Sequence, residues 1–248
     1  MARVTSRDGT SIEYDLQGSR PAVVLVGGGL DDGAENVPLA AELAASFSVV
    51  NYARRGRGAS GDTAPYAVAR EVEDLEALIE VAGGRAHVVG ISSGGALALE
   101  AAAAGLPIDR LAVYEVPYGV PRDAWADYVE RLEAALAAGR RGEALELFMR
   151  TAGSSEEGIA AARRSELWPG LEALALTLAY DAACLGDGRA PVVDRPVLVI
   201  TGGSAGFFED AADEIVATLP QAERLTLHGQ GHVADPKALA AALERFFG

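Results

Sequence analysis

Ala86-His87-Val88-Val89-Gly90-Ile91-Ser92-Ser93-Gly94-Gly95 joins an apolar run to an alanine-rich segment, Ala96 to Ala104. The run AHVVGI lacks a polar face, so it reads as a strand buried on both sides, as the central strands of parallel sheets are. The segment after it carries apolar residues at helical spacing. The chain must therefore turn from strand to helix within Ser92 to Gly95. Glycine stands two residues before and two residues after Ser92. A residue raised on so tight a turn holds strained backbone angles, and the chain on either side passes too close for a side chain. Ser93 fails the same test, because the β-branched Ile91 precedes it by two.

The same strand type recurs on both sides of this stretch. Pro21 opens AVVLV (22–26), which runs into Gly27-Gly28-Gly29, and SVVNY (48–52), LAVYE (111–115), PVLVIT (196–201) and the weaker RLTLH (224–228) follow. At the N-terminus, Val4 leads to Arg7, Asp8-Gly9 marks a turn, and Ser11–Leu16 returns, which predicts a hairpin. Helical faces lie between the strands: Val68, Val72, Leu75, Leu78 and Ile79; Ile215, Val216 and Leu219; and a last helix from Pro236 to Phe246. The fold class expected is α/β, a doubly wound, mostly parallel eight-stranded sheet with helices on both faces.

The alternation stops between Gly119 and Arg189. Trp125, Tyr128, Val129, Leu132 and Leu136 form one apolar stripe, Leu145, Phe148 and Met149 follow, and Leu167, Leu171, Leu174 and Leu178 repeat around Pro169. A helical block inserted after the sixth strand must sit at the sheet's edge or over its top, and it reads as a lid. The expected organisation is a core of residues 1–118 and 190–248 with a lid of residues 119–189.

Bulk properties exclude several classes. The 248 residues carry 36 acidic and 21 basic side chains, a net charge of −15, which repels nucleic acid and anionic membranes. Cys184 is the single cysteine, so no internal disulfide forms, and its apolar setting predicts a buried inert thiol. The opening MARVTSRDGTSIEYD has no apolar core of a secretory signal, and no apolar run approaches the roughly 20 residues of a membrane span. A cytoplasmic protein is expected. Three scattered histidines and one cysteine form no zinc pattern, and no metal or organic cofactor is implied. Gly27 to Gly29 does not make a dinucleotide loop, because Asp32 holds the third glycine position.

Flanked by strand and helix, Gly90-Ile91-Ser92-Ser93-Gly94 makes the chain resemble the α/β-hydrolase family over nearly its whole length. After SVVNY, Arg55-Gly56-Arg57-Gly58-Ala59-Ser60 resembles that family's R-G-x-G-x-S loop, with Ala53 where the family has a buttressing aspartate. The resemblance implies Ser92 as nucleophile, with the Ser93 N–H at the helix start as one oxyanion donor. It implies His232, in Gly229-Gln230-Gly231-His232-Val233, as base. His87 opens a strand and suits a structural role, and His228 ends the last strand. The second oxyanion donor should follow AVVLV. Relatives carry His-Gly there, and matching residue by residue gives the Gly29 N–H, with Leu30 as fallback.

The triad acid usually follows the strand matching PVLVIT, but Gly202-Gly203-Ser204-Ala205-Gly206 holds no acid. Some members place it at the end of the strand after the nucleophile helix, where Glu115 stands. A carboxylate closing an apolar strand is costly to bury unpaired, and a histidine partner would offset that cost. Glu115 is the expected acid, and Asp210 is the alternative.

A serine nucleophile implies acyl transfer, attack on an ester or lactone carbonyl followed by water. The family's epoxide- and halide-processing branches use aspartate at that position and are disfavoured. The expected partner is a small molecule with an apolar group. Leu30, Trp125, Tyr128, Phe148, Met149, Trp168 and Tyr180 could line its pocket, although one stripe of every lid helix must also be core. A biosynthetic cyclase, lyase or acyltransferase on the same scaffold, and a non-catalytic ligand-binding member, stay open beside the hydrolase. The departures at Gly27, Ala53 and Ala205 are what keep the last alternative in view.

Overall fold

The computed structural model describes residues 1–19, 21–204 and 206–248, so Ala205 lies outside the described residues. Eight strands form one sheet: β1 Ala2–Thr5, β2 Ser11–Gly18, β3 Ala22–Val26, β4 Ser48–Tyr52, β5 Ala86–Ile91, β6 Ile108–Tyr114, β7 Val197–Thr201 and β8 Ala222–Thr226. Their spatial order is β1-β2-β4-β3-β5-β6-β7-β8. The β1–β2 and β2–β4 pairs are antiparallel and every other pair is parallel. After β3 the chain steps to one side to form β4, and then crosses to the other side for β5. Such a reversal opens a crevice at the carboxyl ends of the strands. Both the glycine run after β3 and the turn after β5 emerge there.

Successive side chains of a strand point to opposite faces, and here both faces are covered. Val23, Leu25, Val49, Val89, Ala112 and Leu198 pack on α1 (Val37–Leu43) and α10 (Pro236–Phe247). Val24, Val26, Val50, Val88, Val113 and Val197 face α2 (Val68–Val81), α3 (Ser93–Ala103) and α9 (Phe207–Thr218). This is why those strands read as unbroken apolar runs.

Between β6 and β7 the chain forms α4 (Arg122–Ala137), α5 (Arg141–Thr151), α6 (Glu156–Arg163), α7 (Trp168–Leu174), a 3-10 turn and α8 (Leu178–Leu185). These helices bury their own core of Tyr128, Leu132, Leu145, Trp168 and Leu178, and α8 packs along α3. None of the described helices is long and apolar enough to cross a membrane.

Two strands end earlier than expected. Strand β6 ends at Tyr114, which leaves Glu115 one residue beyond it with φ of 47°. Strand β8 has only β7 to pair with, so it ends at Thr226, opposite Thr201, and His228 falls in the following turn.

Candidate active site

Ser92 follows β5 with φ 54° and ψ −127°, a left-handed conformation strained for any residue with a Cβ. Its N–H donates to the Tyr114 carbonyl at 2.9 Å, which ties the turn to the end of β6. The two glycines are required by contact. A Cβ on Gly90 would lie 2.5 Å from the Gly94 carbonyl oxygen, and one on Gly94 would overlap the Val26 and Gly27 carbonyls. The turn therefore closes against the loop after β3. A Cβ on Gly28 would lie 3.0 Å from the Ser92 Cβ.

Glu115 is 4% exposed, although it lies just past a strand end. Its N–H still reaches the Ile200 carbonyl of β7 at 3.0 Å. Its carboxylate accepts from two sides: Oε2 lies 2.8 Å from His232 Nδ1, and Oε1 accepts from the Gly202 N–H at 2.9 Å. The position after β7 that lacks an acid thus contributes a backbone donor to the acid from β6. With Nδ1 as donor to Glu115, the Nε2 of His232 carries the free lone pair. The His232 side chain is 44% exposed, and its ring stacks on Phe208 at 4.8 Å between centroids. The buried Tyr114 hydroxyl donates to the Gly231 carbonyl at 2.5 Å, holding the histidine loop beside β6. No hydrogen bond of the Ser92 hydroxyl is formed among the described residues.

The other candidates separate clearly. Asp210 is exposed in the first turn of α9, without a bond to His232. His87 is buried and stacks on Phe247 at 4.5 Å, and His228 is exposed. Cys184 is 1% exposed, and burial pushes its thiol up to about 12, which leaves it without thiolate character. Of the pocket candidates, Phe148 lies against the glycine loop, with its ring 3.5 Å from where a Gly29 Cβ would be. Leu30, with φ of 62°, packs on the core of the inserted helices.

Tyr128, Met149 and Trp168 belong to that core as well, because one stripe of each helix must be buried. Trp125 packs between it and the sheet's core, its ring N–H on the Gly186 carbonyl at 3.0 Å. Tyr180 stacks flat on Tyr66 at 3.8 Å and bonds Asp62.

The departure at Gly27 is compensated. A Cβ on Gly27 would fall on the Asp31 carboxylate, which fills that space and accepts from the Gly33 and Glu35 N–H groups and from Asn36. Beside Ala53, Arg54 and Arg57 are fully buried. Arg54 forks onto Glu71, with both bonds at 2.7 Å, and also donates to Asp181 Oδ1 at 2.7 Å. Arg57 donates to the same oxygen at 2.7 Å, and Ser93 Oγ does so at 2.7 Å. Burial works to raise the carboxyls of Glu71 and Asp181, but the arginine charges outweigh it and hold both below the usual carboxylate range. Of these, Arg57 lies in the R-G-x-G-x-S loop, whereas Arg54, Glu71 and Asp181 belong to no motif of the sequence. The available signal was an isolated aspartate in the apolar stretch LTLAYDAACL, which a buried cation must neutralise.

The chain matches the family model described as alpha/beta hydrolase family over residues 23–242. It is 47% identical to an alpha/beta hydrolase from Sphaerobacter thermophilus DSM 20745, with all of both chains covered and a TM-score of 0.91. A hydrolase from Pseudomonas aeruginosa PA01 is 25% identical, with 100% of this chain and 98% of that one covered and a TM-score of 0.77. A thermophilic esterase from Thermogutta terrifontis shares the fold at 20% identity, covering 99% and 97% of the two chains with a TM-score of 0.75. No curated protein gives a match. The eight-stranded sheet, the strained turn between two glycines and these likenesses agree: the chain belongs to the alpha/beta hydrolase family.

Proposed function

We propose that this enzyme hydrolyses a carboxylic ester or lactone through an acyl-enzyme, with Ser92 as nucleophile, His232 as general base and Glu115 as the orienting acid. The observation that carries the reading is the Glu115–His232 bond of 2.8 Å, made by a buried carboxylate whose other oxygen is already satisfied by Gly202. That arrangement fixes the imidazole tautomer and leaves Nε2 to accept a proton. The hydrogen bond from serine to base is commonly long before substrate arrives, so its absence from the free enzyme fits the same scheme.

Ser92 Oγ forms a bond to the carbonyl carbon while its proton passes to His232 Nε2. The carbonyl oxygen takes the negative charge and receives the N–H groups of Ser93 and Gly29. Collapse expels the alcohol, which takes the proton from the imidazolium, and Glu115 stabilises that cation meanwhile. Water then repeats the sequence with the acyl group as electrophile, releasing acid and Ser92. Leu30 and Phe148 border the glycine loop and favour an apolar group on the substrate. The inserted helices cover this side as a lid.

Turnover of nitrophenyl esters of increasing acyl length tests the reading. The wild type is expected to release nitrophenol with a burst, and Ser92→Ala to lose the reaction. Equal rates for the two proteins would contradict it, and a wild type that binds esters without turnover would mark a ligand-binding member.

A further inference from the structure

We infer that Asp181, on helix α8 of the inserted block, is a positioning residue that sets both donors of the oxyanion hole through Arg57 and Ser93. The inference rests on the hydrolase reading and adds a part of the chain far from the triad in sequence.

A single oxygen, Asp181 Oδ1, accepts from Arg54, Arg57 and Ser93, each at 2.7 Å. Its donors act on both sides of the hole, Ser93 at the start of α3 and the two arginines at the glycine loop. Ser93 Oγ belongs to the residue whose backbone N–H starts α3. Arg57 uses Nη2 for Asp181 and Nη1 for the Gly28 carbonyl. In a planar trans peptide the C=O and the next N–H point in opposite directions. A guanidinium holding the Gly28 oxygen therefore turns the Gly29 N–H away from itself, on a loop that lies against Ser92. Arg54 reaches the Gly27 carbonyl at 3.3 Å and steadies the preceding peptide in the same way. Three segments thus meet on one buried carboxylate: the loop after β4, the turn after β5 and helix α8.

Charge and geometry make opposite predictions here. Arg54 and Arg57 are balanced by Glu71 and Asp181, so removing the Asp181 charge leaves a net positive cluster beside the hole. Charge alone would then favour the oxyanion and raise the rate. Loss of positioning lowers it, since a donor misplaced by about 1 Å can cost on the order of 100-fold. The cluster is fully buried and its bonds are short, so we assign the larger effect to positioning.

Asp181→Asn removes the charge. Arg57→Lys keeps it but loses the fork that spans Asp181 and Gly28. Both variants, with wild type and Ser92→Ala, are assayed on a nitrophenyl ester and its thionoester, beside melting curves. A sulfur anion accepts hydrogen bonds poorly, so the preference for the oxygen ester reports the aim of the N–H donors. Both variants are expected to lower kcat about 10- to 100-fold with KM within about threefold, and to shrink the oxygen preference by about tenfold. A lowered melting temperature with kcat and oxygen preference unchanged below the transition would make the cluster merely structural. A raised kcat in Asp181→Asn would overturn the inference as well. If Asp181→Asn does not fold, Arg57→Lys decides alone. Wild type no faster than Ser92→Ala would sink the hydrolase reading itself, a result distinct from any of these.

Discussion

Glu115 and His232 stand 117 positions apart in the chain, and a hydrogen bond of 2.8 Å joins them, with the second Glu115 oxygen held by the Gly202 N–H. One carboxylate therefore gathers the ends of β6 and β7 and the loop before α10. Replacing Glu115 by glutamine keeps the shape but presents an amide N–H to Nδ1, which favours the wrong imidazole tautomer. The expected loss in kcat is roughly 10³- to 10⁴-fold, with the fold retained by circular dichroism. Asp210→Asn, on the exposed first turn of α9, should leave kcat unchanged. The reverse pattern would move the acid to Asp210.

Tyr114→Phe removes the hydroxyl that holds the Gly231 carbonyl and leaves the ring in the core. Stability should fall by about 0.5–1.5 kcal/mol, the worth of one such bond. Because His232 is the next residue, kcat should fall as well, severalfold, with KM little changed. Equal kcat in the two proteins would show that the loop is held without this bond.

Gly94→Ala should abolish folding or cost about 3 kcal/mol or more, because the added methyl meets the backbone carbonyls of Val26 and Gly27, which cannot yield cheaply. Gly105→Ala meets no neighbouring atom and pays only for its φ of 88°. Urea unfolding of both variants separates contact from conformation. A Gly94→Ala protein as stable as wild type would mean the turn is looser than its geometry.

Glu71→Gln breaks the buried fork with Arg54 and should cost about 3–5 kcal/mol at neutral pH. The Glu71 carboxyl lies below its ordinary range because the arginine outweighs its burial. Its contribution is therefore complete above the unfolded value, about 4.3, and is lost as pH falls through the lower folded value. The gap in unfolding free energy between wild type and Glu71→Gln should narrow below about pH 4. A gap that widens on acidification would reverse the assigned direction.

Most of the architecture was legible because strands such as AVVLV and AHVVGI have no polar face, which only a sheet covered on both sides explains. The turn at Ser92 was legible because glycines at 90 and 94 serve one local geometry. The Arg54–Glu71–Asp181–Arg57 cluster was not, since its members are spread from residue 54 to 181 and no local period links them. Ala53 and Gly27 read as defects in sequence. Asp31 fills the space at Gly27 from further along the loop, which a match position by position does not reveal. Pocket residues were not legible for a similar reason: an apolar stripe on a helix looks alike whether it meets a substrate or the next helix.

The central claim is that the Ser92 hydroxyl becomes nucleophilic through His232. Intact-protein mass spectrometry after treatment with a fluorophosphonate, with the adduct mapped by digestion, tests it most directly. One adduct per chain is expected, on Ser92, formed at least 100-fold more slowly in His232→Ala, on the scale of about 10²–10⁴ that a general base contributes. An adduct on another residue, or labelling of Ser92 at the same rate without His232, would contradict it.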